Sequence, residues 1–121
     1  TLRRDLIVPS QPLEDAGYNA TKTLLADTPE IDALLCYNDL VAIGALQALR
    51  ELGKPVPADI AVIGCDNIRL ACLTSPSLTT LGVDKRQLGE AAVTILLRLM
   101  AGELNNRHIS VKSQLIIRES A

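Results

Sequence analysis

The hydrophobic positions of the chain fall into two kinds of pattern that alternate along the sequence. Three runs are almost continuously apolar: DLIVP at 5–9, DALLCY at 32–37 and IAVIGC at 60–65. Between them, over 13–26 and 39–52, apolar residues recur every three or four positions, which is the spacing of one helix face. Strands that are apolar on both sides are typical of a parallel sheet covered by helices on both faces. The order strand, helix, strand, helix, strand therefore predicts a doubly wound α/β fold with a parallel sheet.

The pattern is less regular after the third strand. RLACL at 69–73 is predicted to form a short helical piece, and LTTL at 78–81 a short strand. Asp84 is of a type that caps helices, and it precedes a long helical pattern that runs to about Ala101. Residues 110–117 are predicted to hold one or two further strands.

Composition and charge exclude several classes of function. The chain is 48% hydrophobic, yet no apolar run approaches the roughly 20 residues that a membrane helix needs. The net charge is −2 and Lys and Arg are not clustered, so we do not expect this chain itself to contact DNA. The cysteines are Cys36, Cys65 and Cys72; an odd, small number predicts a reducing cytoplasm. The first ten residues lack the apolar region of a signal peptide, and their early strand-like run suggests a piece of something longer.

The sequence offers little chemistry for catalysis. It contains no GxGxxG, GxxxxGK[ST] or CxxC pattern, so nucleotide and metal sites of those kinds are not expected. His108 is the only histidine and lies in the polar stretch NNRHIS, which favours a solvated surface position over a catalytic triad. Asp66 and Asp39 could serve as an acid–base pair, but nothing supplies an electrophile. We therefore predict no enzyme activity, no cofactor and no metal site.

Polar residues follow two of the predicted strands. Ligands of open α/β sheets bind outside the carboxyl ends of the strands, where Asn38–Asp39 and Asp66–Asn67 stand. A carboxylate and an amide suit a sugar or a nucleoside base. Other roles compete: we expect Asp39 to cap a helix and Asn67 to form a turn, while Asn38 could cap or bind ligand. Capping explains Asp66 less well because no long helix follows it, so a ligand role for Asp66 stays open.

A series of motifs, in this order and spacing over about two thirds of the chain, resembles one family. The chain resembles the C-terminal part of the effector-binding core of the lactose-repressor (LacI/GalR) family of bacterial transcription regulators. The elements that carry the resemblance are Asn38–Asp39, Ala42–Ile43–Gly44–Ala45, Gly53, Val56–Pro57–Ala58–Asp59, Val62–Ile63–Gly64–Cys65–Asp66, Pro76 with Leu78–Thr79–Thr80, and Leu88–Gly89.

The resemblance implies a fold like that of type I periplasmic binding proteins, with ligand between two α/β lobes. On this basis residues 1–81 belong to the C-terminal lobe, which is incomplete. Residues 84–108 form a crossover helix that belongs to the N-terminal lobe, and residues 109–119 return to the C-terminal lobe. Gly82 lies at such a crossover and could serve as a hinge.

The resemblance also implies roles for particular residues. Asp66 becomes the expected ligand carboxylate and Asn38 a further contact. Val83 and Lys85 lie at crossover positions where family members often touch ligand. Val83 is apolar where some sugar-responsive members carry a polar group, so the ligand type stays open.

The resemblance further implies partners. Ile43 and the segment that contains Leu70 and Leu73 match regions that pack between subunits, which implies a homodimer or larger assembly, although core burial is an alternative. A small effector, a sugar or nucleoside-like molecule, would control operator binding by a helix-turn-helix domain absent from this chain. The alternative is a periplasmic sugar-binding protein of a transporter, which an upstream signal peptide would indicate.

Overall fold

The structure is a computed structural model that describes residues 3–103 and 108–121. These residues form three α-helices, two short 3-10 helices and one sheet. The α-helices are α1 (Glu14–Asp27), α2 (Asp39–Glu51) and α3 (Lys85–Met100). The 3-10 helices are Arg4–Leu6 and Arg69–Cys72. The strands are β1 (Ala33–Leu35), β2 (Ala61–Cys65), β3 (Thr79–Val83) and β4 (Ser113–Ile116).

The strands form one sheet in the order β1-β2-β3-β4. Strands β1, β2 and β3 are parallel, and β4 pairs antiparallel with β3. The predicted α/β fold with a mainly parallel sheet is therefore confirmed. Because β1, β2 and β3 run in the same direction, their carboxyl ends lie at one edge of the sheet.

One face of the sheet carries the core, against α1 and α2. Leu34 lies opposite Val62 in the sheet register, and both pack with Leu49 of α2 and Leu25 of α1. The two helices approach each other closely, and a glycine on each makes this possible. A Cβ added at Gly44 would lie 1.9 Å from the carbonyl oxygen of Glu14, and one at Gly17 would lie 2.2 Å from that of Val41.

The other face of the sheet is open in the part of the chain that the structure describes. Leu81 lies between Cys65 and Leu115 in the register. Leu81 and Leu115 are exposed, and Leu35 is 83% exposed. Helices were expected on both faces, but α1 and α2 both pack against the face that contains Leu34 and Val62. The open face is a band of apolar side chains across the strands.

The prediction of a strand at 5–9 is wrong. The chain instead forms a 3-10 helix at Arg4–Leu6, and residues 7–9 have no strand partner among the described residues. A groove of about 830 Å³ lies among this segment, α1 and β1. Because a strand needs a neighbour to satisfy its backbone N–H and C=O groups, apolar composition alone does not make these residues a strand.

Helix α3 begins as predicted but packs against little. The Asp84 side chain caps it by accepting a hydrogen bond from the backbone N–H of Gln87 at 3.0 Å. No residue of α3 is buried within the described chain, and Leu88 of its apolar stripe is 52% exposed. Of the predicted crossover segment 84–108, residues 104–107 lie outside the described residues. None of the helices described is both long and apolar enough to cross a membrane.

Candidate functional site

The structure brings the predicted ligand residues to one edge of the sheet. Asn38 closely follows β1, Asp66 directly follows β2 and Val83 is the last residue of β3. Lys85 is the first residue of α3. Because the three strands are parallel, these residues occupy the edge where α/β proteins bind ligands. The described residues contain no cluster of His, Cys, Asp and Glu able to hold a metal ion.

Asn38 is the N-cap of α2. Its Oδ1 accepts a hydrogen bond from the backbone N–H of Val41 at 2.9 Å, and its backbone is extended. The cap uses only the carbonyl oxygen of the side-chain amide, so the NH₂ group keeps two hydrogens to donate. The side chain is partly exposed at the sheet edge. Capping and ligand contact, which the sequence presented as alternatives, are thus compatible at Asn38.

The turn after β2 has an unusual backbone. Asp66 has a φ of 107° and Asn67 a φ of 48°, which is the region that non-glycine residues rarely adopt. The backbone N–H of Asp66 donates to the carbonyl oxygen of Leu81 at 2.9 Å, while its side chain is exposed. Such conformations cost about 1–3 kcal/mol each and cluster at functional sites. The backbone of this turn therefore indicates that Asp66 is a candidate functional residue, independently of the sequence motifs.

Asp39 does not cap α2, so that prediction is wrong. Its carboxylate is completely buried. Oδ1 accepts a hydrogen bond from the hydroxyl of Thr80 at 2.5 Å, and Oδ2 accepts one from the backbone N–H of Ile68 at 2.8 Å. The physical reason is that Asn38 already accepts the hydrogen bond from the backbone N–H of Val41 at the start of α2. The Asp39 side chain points between α2 and the sheet, toward Thr80. Sequence reasoning missed this role, since Thr80 is distant along the chain.

Arg118 is a second residue whose role the sequence analysis missed: it lies beside the start of β3, and its side chain reaches the turn after β2. Its guanidinium donates to Oδ1 of Asn67 at 2.8 Å and to the carbonyl oxygen of Leu78 at 2.6 Å. Its backbone N–H donates to the hydroxyl of Thr79 at 2.8 Å. Arg118 therefore places a positive charge beside the Asp66–Asn67 turn. A basic residue directly after an apolar strand was the available signal, but its partners Leu78 and Asn67 are distant along the chain.

Gly82 is constrained by space at the same edge. A Cβ at this position would lie 2.8 Å from Cδ1 of Ile116 and 3.2 Å from Cβ of Asn67. The glycine thus lets β4 and the turn pack against β3. Val83, the next residue, is half-buried, and Lys85 is exposed.

The candidate site is an open edge in the described chain, and two cavities nearby do not include its predicted ligand residues. A cavity of about 310 Å³ is lined by Leu46, Arg50 and the loop after α2. The groove of about 830 Å³ lies beside β1. Neither is lined by Asp66, Asn38, Val83 or Lys85. This geometry fits one wall of a binding site whose other wall is formed by different residues.

The thiols near this edge are held in their neutral form. Burial raises the pKa of Cys36 to about 11, and the nearby carboxylate of Asp39 adds to the effect. Burial likewise raises the pKa of Cys65, with smaller contributions from Asp66 and Asp39. Since the thiolate is the nucleophilic form, these two cysteines are poor nucleophiles at neutral pH.

The family model described as "Periplasmic binding protein-like domain" matches residues 2–121. The chain is 39% identical over 121 residues to the HTH-type transcriptional repressor PurR of Yersinia enterocolitica. That match covers 99% of this chain and 36% of the repressor, so the chain spans about a third of the curated relatives' length.

Solved structures agree with this likeness. A LacI family transcriptional regulator from Arthrobacter sp. FB24, in complex with lactose, is 39% identical with a TM-score of 0.81. The match covers 92% of this chain and 42% of that one. The transcriptional regulator CelR in complex with cellobiose is 28% identical, with a TM-score of 0.92 over 100% of this chain and 37% of CelR. The names of these similar proteins describe them as transcriptional regulators.

Proposed function

We propose a function on the premise that this chain belongs to the family of periplasmic binding protein-like domains. The chain is the effector-binding part of a LacI-type transcription regulator. A small molecule binds at the carboxyl edge of the sheet and changes the affinity of the whole protein for operator DNA. The observation that carries this proposal is the exposed Asp66 carboxylate on a left-handed turn at that edge. Two sites that influence each other through a change of conformation constitute an allosteric regulator.

The effector is proposed to be a sugar. The Asp66 carboxylate can accept hydrogen bonds from hydroxyl groups, and the amide of Asn38 can donate them. Lys85 adds a charged donor and Val83 an apolar surface at the same edge. The Arthrobacter regulator was solved with lactose and CelR with cellobiose, which supports a disaccharide as the first class to test. A nucleoside-like effector is the alternative outcome of that test.

The division into lobes completes the proposal. Residues 1–81 belong to the C-terminal lobe, residues 84–108 to a helix that crosses to the N-terminal lobe, and residues 109–119 return. Two observations support this: α3 buries no residue within the described chain, and β4 pairs with β3 in the main sheet. Gly82 lies in the connection and is proposed as the hinge.

The regulator is proposed to act as a homodimer or larger assembly in the cytoplasm. Leu70 is 48% exposed and Leu73 is 68% exposed on the 3-10 helix and just after it, while Ile43 is half-buried on α2. Exposed apolar groups of this kind mark interaction surfaces. Contact with operator DNA is proposed to use a helix-turn-helix domain outside this chain, and the function requires neither a cofactor nor catalysis.

A transporter's periplasmic sugar-binding protein is the second candidate function. The description of the matching family model favours it, whereas the regulators among the similar proteins favour the first candidate. The two candidates differ in what the gene encodes before Thr1. A signal peptide there would favour transport, and a helix-turn-helix would favour regulation.

The test of the proposal is loss of sugar binding in the intact protein when Asp66 is replaced. Lactose and cellobiose are titrated by calorimetry into the wild type, Asp66→Ala and Asp59→Ala. Asp59 is an exposed carboxylate before β2, at the opposite end of the strand, and provides the matched control. Hydrogen bonds to a charged group contribute about 1.5–3 kcal/mol, so Asp66→Ala should weaken binding by roughly tenfold to over a hundredfold. Unchanged affinity in Asp66→Ala would remove Asp66 from the site.

A further inference from the structure

Three successive backbone N–H groups of the turn after β2 each have an acceptor, and the acceptors come from two other elements. Asp66 donates to Leu81 O at 2.9 Å, Asn67 to Thr80 Oγ1 at 3.3 Å and Ile68 to Asp39 Oδ2 at 2.8 Å. The first bond has a backbone carbonyl as its acceptor, so it does not depend on which side chain stands at position 81. The second and third depend on two particular side chains, those of Thr80 and Asp39.

The hydroxyl of Thr80 links the turn to α2. It donates its hydrogen to Oδ1 of Asp39 at 2.5 Å and accepts from the backbone N–H of Asn67. Both Thr80 and Asp39 are completely buried. A hydrogen bond to an ionised acceptor in a buried site is stronger than one between neutral groups. The carboxylate therefore fixes the orientation of the hydroxyl, and the hydroxyl fixes the backbone of Asn67.

The fold makes room for this buried carboxylate and stabilises it. Asp39 is the first residue of α2, where the positive end of the helix dipole favours a negative charge. Gly64 lies beneath it in β2: a Cβ at that position would lie 2.3 Å from Oδ1 of Asp39. A buried carboxylate is costly without hydrogen bonds, and Thr80 and Ile68 provide them.

The segment that these bonds hold is the strained one. Asp66 and Asn67 both adopt positive φ, a conformation that persists only where the surroundings enforce it. Without the contacts from Thr80 and Asp39, the turn can relax toward ordinary backbone angles. Relaxation of the φ of Asp66 would swing its side chain away from its present position at the sheet edge.

We propose that Asp39 and Thr80 are positioning residues for the effector site, because their buried hydrogen bonds hold the left-handed turn that presents the Asp66 carboxylate. Neither residue is proposed to touch the effector. The link to effector binding rests on the proposed function, while the effect on the turn does not depend on it.

Hydrogen exchange measured by mass spectrometry on the intact protein tests the effect on the turn. Thr80→Val keeps the shape of the side chain but removes the hydroxyl, and Thr80→Ser retains it. We expect exchange of the segment 66–68 to rise at least tenfold in Thr80→Val and to stay near the wild-type rate in Thr80→Ser. Exchange of 42–49 in α2 should remain slow in both variants. Asp39→Asn is a second variant in case Thr80→Val does not fold, and it should accelerate the same segment.

Two exchange results would overturn the proposal. One is an unchanged rate for 66–68 in Thr80→Val and Asp39→Asn. The other is an equal rise in 66–68 and in α2, since that would show a general contribution to stability and no specific hold on the turn.

Titration of lactose and cellobiose separates the positioning role from the proposed function. Thr80→Val should weaken binding of the sugar at least tenfold, Thr80→Ser should not, and Thr80→Val should have no further effect in an Asp66→Ala background. Loosening of the turn with unchanged sugar affinity would refute the role in effector binding. If the wild type binds neither sugar, that result counts against the sugar class, and the exchange result alone decides whether Asp39 and Thr80 hold the turn.

Discussion

The close approach of α1 and α2 leads to a prediction about one glycine. A Cβ at Gly44 would lie 1.9 Å from the carbonyl oxygen of Glu14 and 2.7 Å from the backbone nitrogen of Tyr18. Both contacts are with backbone, so rotation of a side chain cannot relieve them. Gly44→Ala therefore requires α1 and α2 to separate by about 1 Å or more before the contact reaches the 3.0 Å that real Cβ atoms respect.

The magnitude follows from two opposing terms. Forcing an extra methyl into a packed interface costs typically about 1–3 kcal/mol, occasionally more. Alanine gains about 1 kcal/mol over glycine in a helix interior. At Gly44 the backbone contact places the first term at or above the top of its range, so we expect a net loss of about 2 kcal/mol in the free energy of unfolding.

Gly89 provides the matched control. It lies within α3, and a Cβ there would meet no atom within 4 Å, so Gly89→Ala should gain about 0.5–1 kcal/mol from helix propensity alone. Urea denaturation followed by circular dichroism on the 121-residue chain measures both variants. A Gly44→Ala variant as stable as the wild type would refute the close approach, and a destabilised Gly89→Ala variant would show that α3 is packed.

Three further predictions concern the thiols, one carboxylate and the exposed apolar surface. Because burial raises the pKa of Cys36 to about 11 and Cys72 is exposed, iodoacetamide at pH 7.5 should modify Cys72 much faster, as read by peptide mass spectrometry; equal rates would contradict the burial. Hydrogen bonds from the backbone N–H and hydroxyl of Ser77 lower the pKa of Glu119, so its stabilisation is present above the ordinary Glu value and lost as the pH falls through the lowered one. The urea concentration at the midpoint of unfolding should therefore fall as the pH drops below about 4.5. This fall should be smaller in Glu119→Gln than in the control variant Glu90→Gln. The exposed sheet face and α3 should make the isolated chain self-associate, and light scattering that shows a monomer at about 100 µM would contradict this.

The sequence predicted well wherever local signals determined the structure. Helix α2 was expected over 39–52 and spans Asp39–Glu51, because Asn38 caps its start and Gly53 ends it. Gly53 adopts a φ of 66°, which glycine reaches at little cost. The same holds for Asp84 at the start of α3. Caps act over three or four residues, so a short window of sequence contains all the groups involved.

The predictions that were wrong or missing share a physical cause: the structure of these residues depends on partners that are distant in the sequence. DLIVP has the composition of a strand, yet no strand pairs with it among the described residues. The position of Arg118 depends on Asn67 and Leu78, about 40 to 50 residues away. Periodicity reports which face of an element is apolar, but it does not report which element lies against that face.

Asn38 and Asp39 show why the candidate site was only half predictable. Both residues are good N-cap types, and the sequence alone treats them as near equivalents. The extended backbone of Asn38 directs its side chain to the helix terminus, where it caps α2. Asp39, one position later, is helical and directs its carboxylate at Thr80 of β3. The two neighbours thus perform different tasks, one local and one tertiary. The hydrogen bonds of Asp39 to Thr80 and Ile68 hold the turn that contains Asp66. The candidate ligand residue Asp66 was therefore identifiable from the strand-end rule, whereas the residues that position it became evident only in the folded structure.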